Sequence, residues 1–306
     1  MRVLVAIDGS SYSDAAIGFL GGLSMRLKSQ VTVVNVIPEH VLLAKLSLGR
    51  LISRSGSLQD QMQRAAEHRA KQIVTRAVES LSARGVQSET AILRGIPADE
   101  ITKACGELRT ELLVIGSKGE TDPPEFLLGG TAQKVMRYAP CSVLMVKRET
   151  TTVDRVLVPL DGSRFSDDTV RFLLRMQVPH RAEISLITVT VAESLTRALI
   201  GTPTFKVETN RQLLSELIKA EEEAAEKLMA GATREFRAHN YRVSAMVARG
   251  EPATEILRAA AGRDVDLIAL GAKGLTGVRR FLLGSVAQNT ARYAQCSVLI
   301  VRPPKA

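Results

Sequence analysis

The sequence predicts an α/β protein of two tandem domains, each an open, doubly wound, parallel five-stranded sheet with helices on both faces. One observation is an internal repeat: residues 126–146 and 281–301 are identical at 14 of 21 aligned positions, 155 residues apart, which indicates a duplication. Another is that short unbroken apolar runs alternate with helical segments, as in sheets buried on both faces. The last is a glycine-rich loop after an apolar run in each half.

The first half opens with the apolar run Arg2–Ile7, a predicted strand that ends in the turn Asp8-Gly9-Ser10. Ser13-Asp14 is predicted to cap a helix that ends near Leu27. The other predicted strands are 31–37, 86–93, 112–115 and 141–146, the other predicted helices are 58–83, 97–108 and 131–138, and 38–57 is a predicted connecting loop.

The second half repeats this order after a threonine-rich linker at 148–154. Its strands are predicted near 155–160, 184–191, 243–248, 265–270 and 296–301, and its helices near 166–176, 211–239, 252–261 and 285–294. The repeat therefore predicts one domain at 1–147 and another at 155–303.

The composition is typical of a globular protein, with 45% hydrophobic and 24% charged residues among 306. The apolar start is confined to residues 3–7, so we expect no signal peptide. No apolar run approaches the roughly 20 residues that a membrane span needs. Three cysteines, two at equivalent repeat positions, do not indicate a disulfide framework. We therefore expect a cytoplasmic protein with no membrane partner.

The net charge of +9 could indicate a nucleic acid, an anionic lipid or an anionic ligand as partner. However, lysine and arginine are scattered, aromatic residues make up 4% and tryptophan is absent. Nucleic-acid binding usually shows a clustered basic face or aromatic platforms. The sequence therefore disfavours a nucleic-acid partner.

The two glycine-rich loops indicate an anion site. Their glycines are Gly116, Gly119 and Gly129 in the first half, and Gly271, Gly274 and Gly284 in the second. Each loop leaves a predicted strand and returns to a predicted helix start. Glycine lets backbone N–H groups approach a ligand, and a helix start adds unpaired donors and partial positive charge. Phosphate is the natural ligand for such a loop.

Both halves resemble universal stress protein domains, and the chain resembles the tandem, two-domain members of that family over nearly all of 1–302. The family pattern G-x2-G-x9-G-(S/T) is complete in the second half with Ser285, whereas the first half has Gly130 there, followed by Thr131. The resemblance implies strand order 3-2-1-4-5, ATP held in the loops, and pairing of the last strands. That pairing would make an internal pseudo-dimer of the two halves, and it leaves a homodimer open.

The resemblance also implies the ATP contacts. Asp8 and Asp161 would face the ribose or base, and backbone near the ends of the first two strands would line the adenine. The implied contacts are Ala6, Asp8, Val36, Gly95, Gly116, Ser117, Lys118, Gly119, Gly129, Gly130, Thr131, Pro159, Asp161, Val189, Gly250, Gly271, Ala272, Lys273, Gly274, Gly284, Ser285 and Val286.

Several of these residues have a structural alternative. Asp-Gly-Ser can simply form a turn that caps the next helix. Gly95 and Gly250 precede prolines at predicted helix starts, where a structural role is at least as well supported. Loop lysines such as Lys118 and Lys273 are more often solvated than bound to phosphate. The remaining residues with reactive side chains carry no site: Cys141 and Cys296 suit small buried positions, Cys105 stands alone on a helix, and the four histidines show no metal spacing.

We expect an ATP-binding stress-response regulatory protein that acts on an unidentified protein partner. The rival is a slow ATPase or phosphotransferase using the same loops, with Mg²⁺ held by Glu120, Asp122 and Glu125. An exposed acidic loop is the simpler interpretation of these acids, and no catalytic constellation is visible. The sequence supports binding, without a catalytic residue or a protein-held metal, and leaves open whether Mg²⁺ accompanies ATP.

The two loops differ in charge, which predicts that the second half binds ATP more tightly. Arg279 and Arg280 stand where the first half has Pro124 and Glu125, and Ser285 adds a hydroxyl that Gly130 lacks. Glu120 and Asp122 would bring negative charge towards a polyanion in the first half, which costs on the order of 1 kcal/mol per pair at a few Å in water.

Overall fold

The computed structural model describes residues 1–24, 29–38, 56–123, 125–147, 152–191, 207–275 and 283–303. The chain divides into two compact units, Met1–Thr152 and Val153–Pro303. The predicted difference in ATP affinity between the halves depends partly on Arg279, Arg280 and Pro124. These residues lie outside the described residues. So do most of the predicted loop at 38–57 and residues 148–151 of the predicted linker.

The first unit has the predicted alternation of strands and helices. Its elements are β1 (Arg2–Ile7), α1 (Ser11–Ser24), β2 (Gln30–Pro38), α2 (Gly56–Ser82), β3 (Ser88–Gly95), α3 (Pro97–Glu107), β4 (Leu112–Gly116), α4 (Gly130–Tyr138) and β5 (Ser142–Val146). Its parallel pairs are β1 with β2, β1 with β4, β2 with β3, and β4 with β5. The strand order is therefore 3-2-1-4-5, as predicted.

The second unit repeats this architecture. Its elements are β6 (Arg155–Pro159), α5 (Arg164–Met176), β7 (Glu183–Thr190), α6 (Val207–Ala238), β8 (Arg242–Arg249), α7 (Pro252–Gly262), β9 (Leu267–Gly271), α8 (Ser285–Tyr293) and β10 (Ser297–Val301). Parallel pairs join β6 to β7 and β9, β7 to β8, and β9 to β10. The order is again third, second, first, fourth, fifth, which confirms the predicted fold class.

The core of the first unit lies on both faces of its sheet. On one face, Leu4 and Ala6 of β1 pack with Ile101 of α3 and Val135 of α4, and all four are at least 96% buried. Successive strand residues point to opposite faces. The alternate residues of β1 therefore face the other side, where α1 packs against β4 and α2 against β2.

All strands within each unit are parallel, so their carboxyl ends lie at one edge of that sheet. The first and fourth strands are neighbours, with Ala6 of β1 opposite Ile115 of β4. The chain leaves these two strands towards helices on opposite faces, so a crevice opens between their ends. The turn after β1 and the glycine loop after β4 meet there.

The predicted start of the first helix is three residues too late. Helix α1 begins at Ser11, and its cap is Ser10 rather than Ser13-Asp14. The backbone N–H of Ser13 donates to the Ser10 side-chain oxygen at 3.2 Å and to the Ser10 carbonyl at 3.0 Å. Ser10 therefore takes the capping role that serine favours.

Two predicted strands began too early, because their first apolar residue belongs to the preceding helix end. The Val86 N–H donates to the Leu81 carbonyl at 3.0 Å, and the Val265 N–H donates to the Ala260 carbonyl at 3.1 Å. Gly85 before Val86 has φ 77° and Asp264 before Val265 has φ 48°. These are Schellman helix ends, in which an apolar residue closes the helix. Strands β3 and β9 therefore begin two residues after the predicted positions.

Among the helices in the described part of the chain, none combines the length and the apolar character needed to cross a membrane.

Candidate functional site

Each glycine-rich loop is held at its base by the same two hydrogen bonds. In the first unit, Ser117 donates its N–H to the Val146 carbonyl, and its own carbonyl accepts from the Gly129 N–H, both at 2.8 Å. In the second unit, Ala272 donates to Val301 and accepts from Gly284, also at 2.8 Å. The second residue of each loop therefore ties the last strand to the start of the next helix.

The carboxylate after the first strand of each unit bridges the turn and the loop. One oxygen of Asp8 accepts from the Ser10 N–H at 3.0 Å, and the other accepts from the Glu120 N–H at 3.1 Å. Asp161 makes the equivalent bonds with Ser163 at 3.0 Å and Leu275 at 3.1 Å. The turn interpretation of Asp-Gly-Ser is therefore correct, and the same carboxylates also lie against the glycine loops.

The first glycine of each loop provides room for the neighbouring helix. A Cβ on Gly116 would lie 2.8 Å from the Tyr12 carbonyl carbon, and one on Gly271 would lie 2.6 Å from the Phe165 Cβ. Such approaches are well inside van der Waals contact. These two glycines therefore let α1 and α5 pack against the ends of β4 and β9.

The second glycine of each loop faces the bridging carboxylate. A Cβ on Gly119 would lie 2.8 Å from an Asp8 oxygen, and one on Gly274 would lie 2.5 Å from an Asp161 oxygen. The third glycine differs, because a Cβ on Gly284 would meet its nearest atoms, Ala272 O and Lys273 Cα, at 3.4 Å. Among the three loop glycines of the second half, Gly284 therefore has the widest clearance from the described atoms.

The helices that follow the loops start without a side-chain cap. Their N-cap residues are Gly129 for α4 and Gly284 for α8. By contrast, α5 is capped by Ser163 and α7 by Glu251. The first N–H groups of a helix have no intrahelical acceptor. The N–H groups at Gly130, Thr131, Ser285 and Val286 therefore lie where an anion would find donors.

The lysines of the two loops are both half-buried. The Lys118 ammonium lies 5.8 Å from the centre of the Tyr12 ring, within cation–π range. Lys118 thus lies over α1 rather than extending into solvent. Lys273 stands at the same place in the second loop.

The residues implied to line the adenine stand at the ends of the first two strands. Ala6 is buried in the core, and Val36 is half-buried and packs against the same cluster. Pro159 and Val189 are half-buried at the ends of β6 and β7. The backbone of these residues reaches the edge where the crevice opens.

Gly95 and Gly250 have a structural role in the turns that start α3 and α7. Both adopt φ 147°, which side-chain-bearing residues rarely adopt. A Cβ would also lie 2.8 Å from Glu100 at Gly95 and 2.9 Å from Glu255 at Gly250. Their place among the ATP contacts stays a prediction.

Two features of the first site were not predicted from the sequence. Asn35 is 95% buried, and its side-chain amide donates to the Ile7 carbonyl at 2.8 Å, which fixes the end of β1 beside Asp8. A lone amide within the apolar run 31–37 was the available signal. Arg69 of α2 forms an ion pair with Glu120, so the charge of Glu120 is compensated. The two residues are 51 positions apart, and only the fold brings them together.

Asp122 is the acid that enters the first loop. One of its carboxylate oxygens accepts from the Gly119 N–H at 2.6 Å. The same oxygen lies 2.1 Å from the point where a Cβ on Gly129 would be. Negative charge therefore stands beside the start of α4. Glu125 is exposed, and within the described ranges no group of three or more acids, cysteines or histidines could hold a metal ion.

The cysteines are all buried, and Cys105 is not isolated. A hydrogen bond with Cys141, followed by burial, raises the pKa of the Cys105 thiol far above its usual range. The side chain therefore stays protonated and is a poor nucleophile. Cys141 and Cys296 are 95% buried, as expected for small core residues.

Comparison with known proteins identifies the family. The model of the universal stress protein family matches residues 1–147 and again residues 152–302. The chain belongs to the universal stress protein family. Its two matches confirm the tandem organisation.

Two relatives each match about half of the chain. A universal stress protein of Methanocaldococcus jannaschii is 32% identical over 151 residues, covering 49% of this chain and 83% of the relative. One of Bacillus subtilis is 30% identical over 146 residues, covering 48% of this chain and 98% of the relative.

Solved structures of similar length share the fold. A universal stress protein of Archaeoglobus fulgidus has a TM-score of 0.64 at 20% identity, covering 98% of each chain. A putative universal stress protein of Pseudomonas aeruginosa has a TM-score of 0.62 at 17% identity, covering 99% of this chain and 93% of the other. At these identities the comparison establishes the architecture alone.

Proposed function

We propose that this universal stress protein is an ATP-binding regulatory module that holds nucleotide in its glycine loops. The observation that carries the proposal is the uncapped start of α8, with Gly284 as N-cap, at the same sheet edge as Asp161. Helix N-terminal donors favour phosphate. The carboxylate at the end of the first strand suits the hydroxyl groups of a ribose.

In the second unit, the phosphates would bind the N–H groups of Ser285 and Val286, with Lys273 adding positive charge. Ser285 is exposed, and its hydroxyl would be able to donate to a phosphate oxygen. Asp161 would face the ribose, and the backbone at Pro159 and Val189 would line the adenine. The donors, and the clearance of Gly284 from the described atoms, support binding of a polyphosphate.

The first unit offers the equivalent groups, from Asp8 and Lys118 to the start of α4 at Gly130 and Thr131. Here the fit is poorer, because the Asp122 carboxylate already stands beside Gly129. Any Mg²⁺ would arrive with the nucleotide, which carries its own oxygen ligands.

Binding rather than hydrolysis is the function that the geometry favours. A hydrolase needs a base or metal ligands aimed at the terminal phosphate. Asp8 and Asp161 instead accept backbone N–H groups of the loops, and Glu120 pairs with Arg69. ATP occupancy would then change the surface that the loops offer to a protein partner in the cytoplasm. The predicted pseudo-dimer of the two halves stays part of this proposal.

The test is nucleotide binding by the full chain. Nucleotide released from purified protein is identified by mass spectrometry, and ATP affinity is measured by titration calorimetry, with EDTA and with Mg²⁺. We expect Gly284→Val to lower the ATP affinity of the second unit at least about tenfold, or about 1.4 kcal/mol, because the valine methyl groups would crowd the phosphate donors.

Gly231→Val is the matched control, since Gly231 is exposed on α6 and a Cβ there would have no described atom within 4 Å. Gly284→Ala, a smaller change at the same position, is measured as well in case Gly284→Val does not fold. The proposal fails if the folded wild type binds no ATP, or if Gly284→Val binds as tightly as Gly231→Val.

A further inference from the structure

The first glycine loop contains its own anion. The Asp122 carboxylate accepts the Gly119 N–H at 2.6 Å, and the Asp122 N–H donates back to the Gly119 carbonyl at 3.3 Å. Asp122 is half-buried in this position. One donor that the loop could offer to a phosphate is therefore already used by the protein.

The carboxylate also fills the clearance that the third glycine provides. Its Cγ lies 2.9 Å and its nearer oxygen 2.1 Å from the site of a Cβ on Gly129. Any side chain at position 129 would collide with it. Gly129 is the N-cap of α4, where partial positive charge favours an anion. The group seated there is the aspartate of the same loop.

The second loop lacks this group. At the repeat spacing of 155 residues, Asp122 aligns with Gly277, which carries no side chain, and Glu120 aligns with Leu275. Gly277 lies outside the described residues, but its identity alone removes the carboxylate. The acid is thus a property of the first half.

We propose that Asp122 is a specificity-determining residue that keeps polyphosphate out of the first loop by occupying the place of a phosphate. This inference rests on the proposed function. If the loop binds phosphate only after Asp122 has moved out, only that fraction of molecules can bind. The apparent affinity is then the intrinsic affinity multiplied by this fraction. If the state with the carboxylate in the loop is ten times as populated as the state with it out, the apparent affinity is about tenfold lower.

The neighbouring acids do not have this role. Glu120 points to α2, where Arg69 pairs with it, and Glu125 is exposed. A purely structural role for Asp122 in the turn predicts a different outcome. Its removal would then loosen the loop and weaken the binding of every ligand, charged or not.

The experiment uses the full chain with Gly284→Val, which weakens the second site, and compares Asp122 with Asp122→Asn and Asp122→Gly. Asp122→Asn keeps the shape of the side chain, and Asp122→Gly copies the second loop. Glu125→Gln is the matched control, since it removes one charge from the same loop. Calorimetry measures ATP in EDTA and adenosine as the ligand without phosphate, and a thermal melt verifies folding.

We expect both Asp122 variants to bind ATP at the first site at least about tenfold more tightly, with the gain shrinking at high salt. Glu125→Gln should change ATP affinity far less, and adenosine should bind all variants alike. Unchanged or weaker ATP binding in the Asp122 variants, or an equal gain for adenosine, overturns the inference while wild-type ATP binding still supports the proposed function. No ATP binding by any variant overturns both.

Discussion

Replacing Gly271 by alanine is expected to destabilise the second unit without any ligand present. The added Cβ would lie 2.6 Å from the Phe165 Cβ and 2.9 Å from the Phe165 carbonyl oxygen. Carbon atoms prefer separations of about 3.5–4.0 Å. Helix α5 or strand β9 would therefore have to move by close to 1 Å, and Phe165 cannot simply rotate away because its backbone is involved.

The expected magnitude follows from this overlap. Overpacking a well-filled site costs about 1–3 kcal/mol. For a domain of this size, each kcal/mol shifts the melting temperature by about 2–4 °C. Gly271→Ala should therefore lower the melting temperature by roughly 2–12 °C, and Gly116→Ala should do the same to the first unit through Tyr12.

Differential scanning calorimetry of the full chain in nucleotide-free buffer measures this effect. Gly231→Ala is the control, because it adds the same methyl group in open space on a helix, where alanine is favoured by up to about 1 kcal/mol. A Gly271→Ala protein that melts at or above the wild-type temperature would show that the contact with Phe165 is not tight, and that Gly271 has a role other than helix packing.

Two further predictions concern stability and thiol reactivity. Removing the Glu251 cap by Glu251→Ala should cost about 0.5–2 kcal/mol in urea unfolding at neutral pH. Burial raises the pKa of Glu251, but hydrogen bonds from Thr254 and Ala253 outweigh it and lower the pKa below 4.5. The stability difference between wild type and Glu251→Ala should therefore become smaller on acidification. Equal urea midpoints for the two proteins at pH 7 would contradict the cap. Cys141 and burial raise the pKa of Cys105, which predicts slow alkylation of this thiol in the native protein. Above the usual thiol pKa of 9.0, the free energy of unfolding should fall as pH rises. This fall should be smaller in Cys105→Ala. Native alkylation as fast as in urea would contradict this.

The fold was predictable because its signals are local and repeated. Apolar runs such as Leu112–Ile115 predict buried strands, and the order of elements predicts a doubly wound sheet. The strand ends were less predictable, because Val86 and Val265 are apolar and β-branched yet close the preceding helices. Hydrophobicity does not distinguish a residue that ends a helix from one that starts a strand.

The site was predictable at the level of its backbone. The glycines and the first-strand aspartates meet at one edge, as parallel topology requires. The side chains that modify the site were not predictable from spacing. The pairing of Arg69 with Glu120 requires the packing of α2 beside the loop. The direction of Asp122 depends on a turn that the sequence permits but does not specify.

The hydrogen bonds of Ser117 and Ala272 have a consequence for how this duplicated gene product could diverge. At the base of each loop these two hydrogen bonds join backbone atoms alone, so they do not depend on which side chains the loop carries. The two copies follow this division: 14 of 21 residues agree between 126–146 and 281–301, whereas 120–125 and 275–280 share only the threonine. A loop of this kind can therefore differ between the two copies, and one copy can acquire a new ligand preference while the surrounding sheet and helices stay the same.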